Sequence, residues 1–348
     1  MNQLLRYGFI GIIFPLLVTY VFYFQFTTNY TQDLFSEAKF RSFYGSNVYQ
    51  TRKLGKDLHL WVYERLKGVE KFRNYAADPY QAKRLQPMDA AAEPLFYLTY
   101  FFIAAFFTVL TALLTLRIFD QKELFPIPGP FKDLVVCLLV LLIGFTQFVV
   151  TPYDTPGYFF MAAGILLFLR YWKTSSLPAY VLLLLVIVVA TFNRETSLLL
   201  LSFMAAIYFS TEGISVKWIR RMILPALCFL LPYLYLKIVV SGGHFTDESK
   251  LAQNLHLRNP YSMMGFLFAA FVIWLLYRLH ANNRRLISSY LVFSLPYILI
   301  IFLVGITQEF RLWMPLLQGG IILSLLVTDR QWPQATEMRR EEALRRSR

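Results

Sequence analysis

The chain has 348 residues, 57% of them hydrophobic and 16% charged, with a net charge of +13 and a mean hydropathy of +0.49. Soluble domains carry roughly 45–50% apolar and 25% charged residues, so this composition excludes a soluble enzyme with a peripheral patch. Only two cysteines are present, Cys137 and Cys228, both inside apolar stretches, which excludes a disulfide-stapled secreted module.

Apolar runs with polar flanks, about the length needed to cross a bilayer, recur ten times. They lie near 8–26, 95–116, 134–151, 157–170, 178–192, 196–210, 222–240, 262–278, 286–305 and 311–328. Only Arg6 precedes the first run and no small-x-small cleavage site follows it, the pattern of an uncleaved signal anchor. The runs at 157–170, 178–192 and 196–210 are short for a full crossing and are expected to be tilted, broken or re-entrant. The expected fold is all-α: a polytopic transmembrane helical protein of about ten spans, one domain over 1–328, with a basic tail at 329–348.

Basic residues follow alternate runs: Arg117, Lys122 and Lys132, then Arg170 and Lys173, then Lys217, Arg220 and Arg221, then Arg278, Arg284 and Arg285, and finally the tail. Membrane topology accounts for this positive charge without any nucleic-acid partner, and it assigns both termini to the cytoplasm. A bacterial inner membrane fits the length and the lack of eukaryotic targeting signals.

The opposite face receives loops 27–94, 152–156, 193–195, 241–261 and 306–310. The first opens with Asn29-Tyr30-Thr31-Gln32-Asp33, then Glu37 and Arg41. Within it, 47–75 reads as an amphipathic helix, with Leu54, Leu58, Trp61, Val62 and Leu66 at three- and four-residue spacing. Such a helix lies flat among lipid headgroups. In the second loop Asp154 is flanked by Pro152 and Pro156 and can also cap the next helix. Asn193-Arg194-Glu195-Thr196 interrupts a nearly continuous apolar run, where charges are costly and face a polar cavity or one another. Arg194 there has the fork geometry to clamp a phosphate. The fourth loop holds His244, Asp247 and Glu248, whose spacing fits no specific zinc signature. Glu309 and Arg311 open the last run, placed to pair with each other or to meet other loops. No P-loop, no G-x-G-x-x-G loop and no H-E-x-x-H pattern is present, which counts against an ATP-driven pump and a zinc protease.

A first span followed at once by a long external loop with acidic residues, then many spans with short external acidic loops, resembles the GT-C class of membrane glycosyltransferases. Tyr153-Asp154-Thr155-Pro156-Gly157, Asn193-Arg194-Glu195-Thr196 and Glu309-Phe310-Arg311 are also similar to blocks in uncharacterised bacterial proteins near that class. The resemblance implies transfer of a sugar, hexosyl or pentosyl, from a polyprenyl-phosphate or polyprenyl-diphosphate donor to an acceptor on the non-cytoplasmic face. It puts the catalytic carboxylate on Asp33, with Glu37 in reserve. Arg194 and Arg311, joined by Arg41 or Arg52, would stabilise the departing lipid phosphate, with Glu309 beside them. Asp154 and Glu195 would orient hydroxyls or hold Mg²⁺ or Mn²⁺, with His244 a further metal candidate. The implied partners are membrane lipid, the lipid-linked donor and an acceptor the sequence does not identify.

Three other readings compete. A polysaccharide polymerase or ligase would also consume lipid-linked sugars, but it typically carries its large loop late in the chain. A secondary transporter or lipid flippase would use intramembrane charges such as Lys237 and broken spans near Arg194. A scaffold would tolerate replacement of the external charges.

Overall fold

The computed structural model describes residues 3–25, 34–45, 48–78, 81, 92–240, 249–256, 258–278 and 283–327. Among these residues every regular element is helical. After α1 (Gln3–Phe24) come three shorter helices, α2 (Glu37–Tyr44), α3 (Lys53–Lys67) and α4 (Glu70–Ala76). The bundle continues with α5 (Pro94–Phe119), α6 (Gly129–Thr146), α7 (Asp154–Thr174), α8 (Leu177–Asn193), α9 (Leu198–Glu212) and α10 (Val216–Val240). It ends with α11 (Leu251–Leu255), α12 (Pro260–Arg278), α13 (Arg284–Phe293), α14 (Leu295–Val304) and α15 (Phe310–Leu325).

Among the described residues five helices, α1, α5, α6, α10 and α12, are long and apolar enough to cross a bilayer, and the chain is an integral membrane protein. The pair α13 and α14, bent by 48° at its break, makes a sixth candidate if it acts as one span. Helices α8 and α15 are apolar but shorter. Each of the ten apolar runs carries helix over most of its described residues, whereas length and composition identify five or six crossings among them.

Proline chemistry explains the irregularities. Pro15 cannot donate to the carbonyl of Gly11, and the turn Phe9–Ile13 widens into a π-helix where that bond is missing. Pro296, in the first turn of α14, disfavours helical geometry just before it, and the bend falls there. The turn from α9 to α10 closes on Gly213 at φ +69°, a conformation that glycine adopts without strain.

Helix α5 packs against α7, α1, α3 and α6, and α7 against α8, which makes these helices the centre of the bundle. Ion pairs and hydrogen bonds between elements fix which ends lie together. At one end Arg6 bridges Asp120 and Asp133, and the Val327 amide donates to the Leu124 carbonyl at 2.9 Å. At the other, Tyr23 donates to Gln147 at 3.1 Å and Tyr97 to the Tyr23 carbonyl at 2.8 Å. A large apolar core fills the bundle, and a second, aromatic cluster lies under α2 to α4.

The single amphipathic helix expected over 47–75 is broken. A 3₁₀ turn at Val48–Thr51 precedes α3, and after Gly68 the extended backbone of Val69 separates α3 from α4. Part of its apolar stripe faces outward, where Leu54, Leu58 and Trp61 line a 390 Å³ groove with Phe192 and Trp61 is exposed, whereas Leu66 packs against the aromatic cluster. The face turned inward carries Gly55, His59 and Tyr63. Glu93 ties this layer to α5, accepting from the Glu37 amide at 3.0 Å and from the Tyr63 hydroxyl.

His59 is fully buried among the rings of Phe40, Phe96 and Tyr100, at centroid distances of 4.9, 4.5 and 4.0 Å. Neither ring nitrogen has a hydrogen-bond partner among the described residues. Burial pushes its pKa from the usual 6.5 down to about 3. Below about pH 6.5 the unfolded chain takes up a proton that the folded protein refuses, so stability is complete above that pH and falls as pH drops toward 3. Between pH 7 and pH 5 the wild type is expected to lose about 2 kcal/mol more than His59→Phe. Denaturation midpoints of both proteins across that range check this; parallel pH profiles would contradict it.

Candidate functional site

Four segments distant in sequence converge at the end of the bundle opposite Arg6. They are the 3₁₀ turn with the start of α3, the turn entering α7, the turn from α8 into α9, and the turn entering α15. Each is short and bounded by helix ends, which fixes where its charged residue can point.

Tyr153 is the hub. Its ring lies under the Arg52 guanidinium at 4.3 Å and the Arg194 guanidinium at 5.4 Å, and its hydroxyl accepts from Arg311 Nη1 at 3.2 Å. Its carbonyl accepts from the Asn193 side-chain amide at 2.8 Å. Tyr49 supplies a second ring to Arg52, at 5.1 Å.

Around this ring three arginines meet three carboxylates. Asp154 receives Arg194 on Oδ1 and Arg311 Nη1 on Oδ2, the latter at 3.4 Å. Arg311 also holds Glu309, through Nη2 at 2.7 Å and Nε at 2.8 Å. Arg52 Nη2 pairs with Glu195 at 3.0 Å. The formal charges of these six groups cancel. Burial separates them, however: Asp154 is 1% exposed, Arg194 3% and Arg311 9%, while the Glu195 side chain keeps 28%. Burial opposes ionisation of Glu195, yet Arg52 and Arg194 outweigh it and hold its pKa down at about 2. Lys237, buried near the end of α10, adds a further positive field on Glu195. Thr151 Oγ1, Asn193 Oδ1 and Arg194 Nε are buried without hydrogen-bond partners among the described residues, so the cluster retains unused polar capacity.

Six residues singled out in the sequence therefore share one site: Arg52, Asp154, Arg194, Glu195, Glu309 and Arg311. Although Asp154 starts α7, its carboxylate reaches the two arginines. Glu37 and Arg41 belong to a different group. Arg41 bonds Glu37 at 2.8 Å, and Lys67 reaches the other Glu37 oxygen at 2.7 Å. Lys67 and Arg41 hold the Glu37 carboxyl below its ordinary value, so it stays ionised. Asp33 and His244 lie outside the described residues.

Both Asp154 oxygens and one Glu195 oxygen are taken by arginines, and no group of three His, Cys, Asp or Glu gathers among the described residues. Tyr49, Tyr153 and Asn193 are uncharged site residues that charge patterning does not single out, and Lys237, an intramembrane charge in the sequence, also acts on this cluster. Tyr153 and Asn193 stand in the sequence blocks that carry the resemblance, but with no role of their own.

No protein-family model, curated protein or solved structure matches this chain.

Proposed function

We propose that this protein is a membrane glycosyltransferase of GT-C-like architecture. It moves a sugar from a polyprenyl-phosphate or polyprenyl-diphosphate donor to an acceptor on the non-cytoplasmic face of a bacterial inner membrane. The observation that carries this reading is the buried cluster of three arginines and three carboxylates, at the bundle end where amphipathic α3 docks. Each guanidinium is paired with a carboxylate, and a phosphate can replace a carboxylate in the same fork. Replacement is easiest at Arg52, whose partner Glu195 is the most exposed of the three carboxylates.

On this reading the lipid phosphate engages Arg52 first and then draws on Arg194 and Arg311 as charge grows on the leaving oxygen. The outward groove of Leu54, Leu58, Trp61 and Phe192, next to Arg52 and Asn193, is an apolar path for the start of the lipid chain. Asp33 takes the acceptor proton, as the family resemblance implies. The ten helical runs are each a crossing, which puts both termini in the cytoplasm and the cluster on the far side.

Purified protein in nanodiscs, offered a panel of polyprenyl-phosphate and polyprenyl-diphosphate sugars, tests this by mass spectrometry of donor consumption. Consumption of one donor is expected, lost in Asp33→Asn and requiring about tenfold more donor in Arg194→Ala. No consumption or binding across the panel would refute the reading, and full activity in Asp33→Asn would remove that residue as the base. An EDTA arm with Mg²⁺ or Mn²⁺ restoration decides whether the reaction needs a cation.

One observation favours a transporter instead. Lys237 is buried beside the Arg52–Glu195 pair, the kind of intramembrane charge that coupled transport uses. Movement of an intact donor across proteoliposomes without consumption would favour that alternative.

A further inference from the structure

A second polar cluster lies at the opposite end of the bundle. Helix α6 separates the two ends by 18 residues, about 27 Å of helix. Here the start of α1, the end of α5 and the start of α6 enclose a groove of 840 Å³. Arg6 forms its polar wall, fixed by Asp120 at 2.6 Å and by Asp133, while Tyr7 donates to Asp120 at 2.6 Å. Arg6 Nη2 is buried without a hydrogen-bond partner among the described residues. Lys122 and Lys132 also line the groove, so three cations face two carboxylates and one positive charge is in excess. Arg117, exposed one turn before Asp120, adds to that field.

The rest of the lining is apolar: Phe9, Ile10, Phe125 and Ile127 among others. Phe9 is 54% exposed on α1, a helix that qualifies as a membrane crossing, so the apolar side of the groove opens toward lipid. Nothing lies within 4 Å of a Cβ built on Gly129, so the groove has unfilled space at the start of α6. A soluble anion would use the basic wall alone. A lipid tail would use the apolar wall alone.

We propose that this groove binds one anionic phospholipid. Its phosphate sits against Arg6 and Lys122, and the first part of one acyl chain lies along Phe9 and Ile127. Basic pockets between membrane helices recognise lipid phosphates in this way, because the headgroup keeps its charge compensated while the chain stays in hydrocarbon. The site is independent of the sugar-transfer reading and of the Tyr153 cluster.

The test uses the full chain, stripped of lipid in detergent and titrated with dioleoyl phosphatidylglycerol, with bound lipid counted by native mass spectrometry. The wild type is expected to take up one lipid ahead of all others. Lys122→Glu, which reverses the local charge excess, should weaken that step at least tenfold. Gly129→Trp, which fills the groove without altering its charge, should abolish it. Lys217→Glu, an exposed lysine on α10, should leave it unchanged. Equal uptake by the wild type and both groove variants would overturn the proposal, as would equal weakening by Lys217→Glu. Displacement of the lipid by millimolar inorganic phosphate, or equal binding of zwitterionic dioleoyl phosphatidylcholine, would overturn it too.

Discussion

Asp154→Asn is expected to lower the stability of the purified protein by about 3–5 kcal/mol, the cost of removing one partner from a buried ion pair. The substitution changes almost no volume, so packing loss is not the cause. What it leaves is two guanidiniums, Arg194 and Arg311, that share this carboxylate, with Arg194 3% exposed and unable to reach water. Arg311 keeps Glu309, whereas Arg194 has no second carboxylate within bonding distance among the described residues. The penalty therefore falls mainly on Arg194. A second variant separates charge from shape: Asp154→Leu combined with Arg194→Met removes both members and should recover much of the loss, since apolar replacement of a buried pair is often neutral. Unfolding in mixed micelles with increasing SDS measures both. Asp154→Asn within about 0.5 kcal/mol of wild type, the range of an ordinary surface change, would mean the pair is not buried as described.

That cluster also shows how far the sequence carries. Arg194 and Glu195 stand out because charges interrupting apolar helices have few stable options, and pairing across turns is one of them. Which partner each would choose was not legible. Arg194 pairs with Asp154, 40 residues away, and Arg311 with the same carboxylate from 157 residues away. Such long-range choices depend on how helices stack, which local patterning does not encode. The helical runs themselves were legible, because an apolar run in lipid has to satisfy its own backbone. The first loop is less legible for a related reason. A stripe of Leu54, Leu58 and Trp61 reports an apolar face but not whether protein or lipid covers it. Here the smaller stripe of Gly55, His59 and Tyr63 is the one against protein, and nothing in the polarity of His59 announces that.

The role of Gly55 in that inner stripe leads to the other large effect. Gly55→Val is expected to destabilise by about 3 kcal/mol and to disturb the Arg52 site at the same time. A Cβ at this position would lie 2.8 Å from Tyr153 Cβ and 2.9 Å from the Pro152 carbonyl oxygen. Neither atom is the far end of a flexible side chain, so relief has to come from α3 moving away from the turn entering α7. Arg52 immediately precedes α3, and such a movement pulls it from the Tyr153 ring and from Glu195. Gly55→Ala is the sharper experiment, because two effects oppose each other. Alanine gains about 1 kcal/mol over glycine in a helix interior, while overpacking of this kind costs about 1–3 kcal/mol. With backbone atoms as the obstacle, overpacking wins and the net change is a loss. Gly8→Ala on α1, where an added Cβ meets nothing within 4 Å, isolates the propensity gain and should be neutral or stabilising. Denaturation midpoints for the three variants decide the matter. If Gly55→Ala is as stable as Gly8→Ala, α3 does not rest on Tyr153, and the approach that brings Arg52 to the other two arginines is not part of the fold.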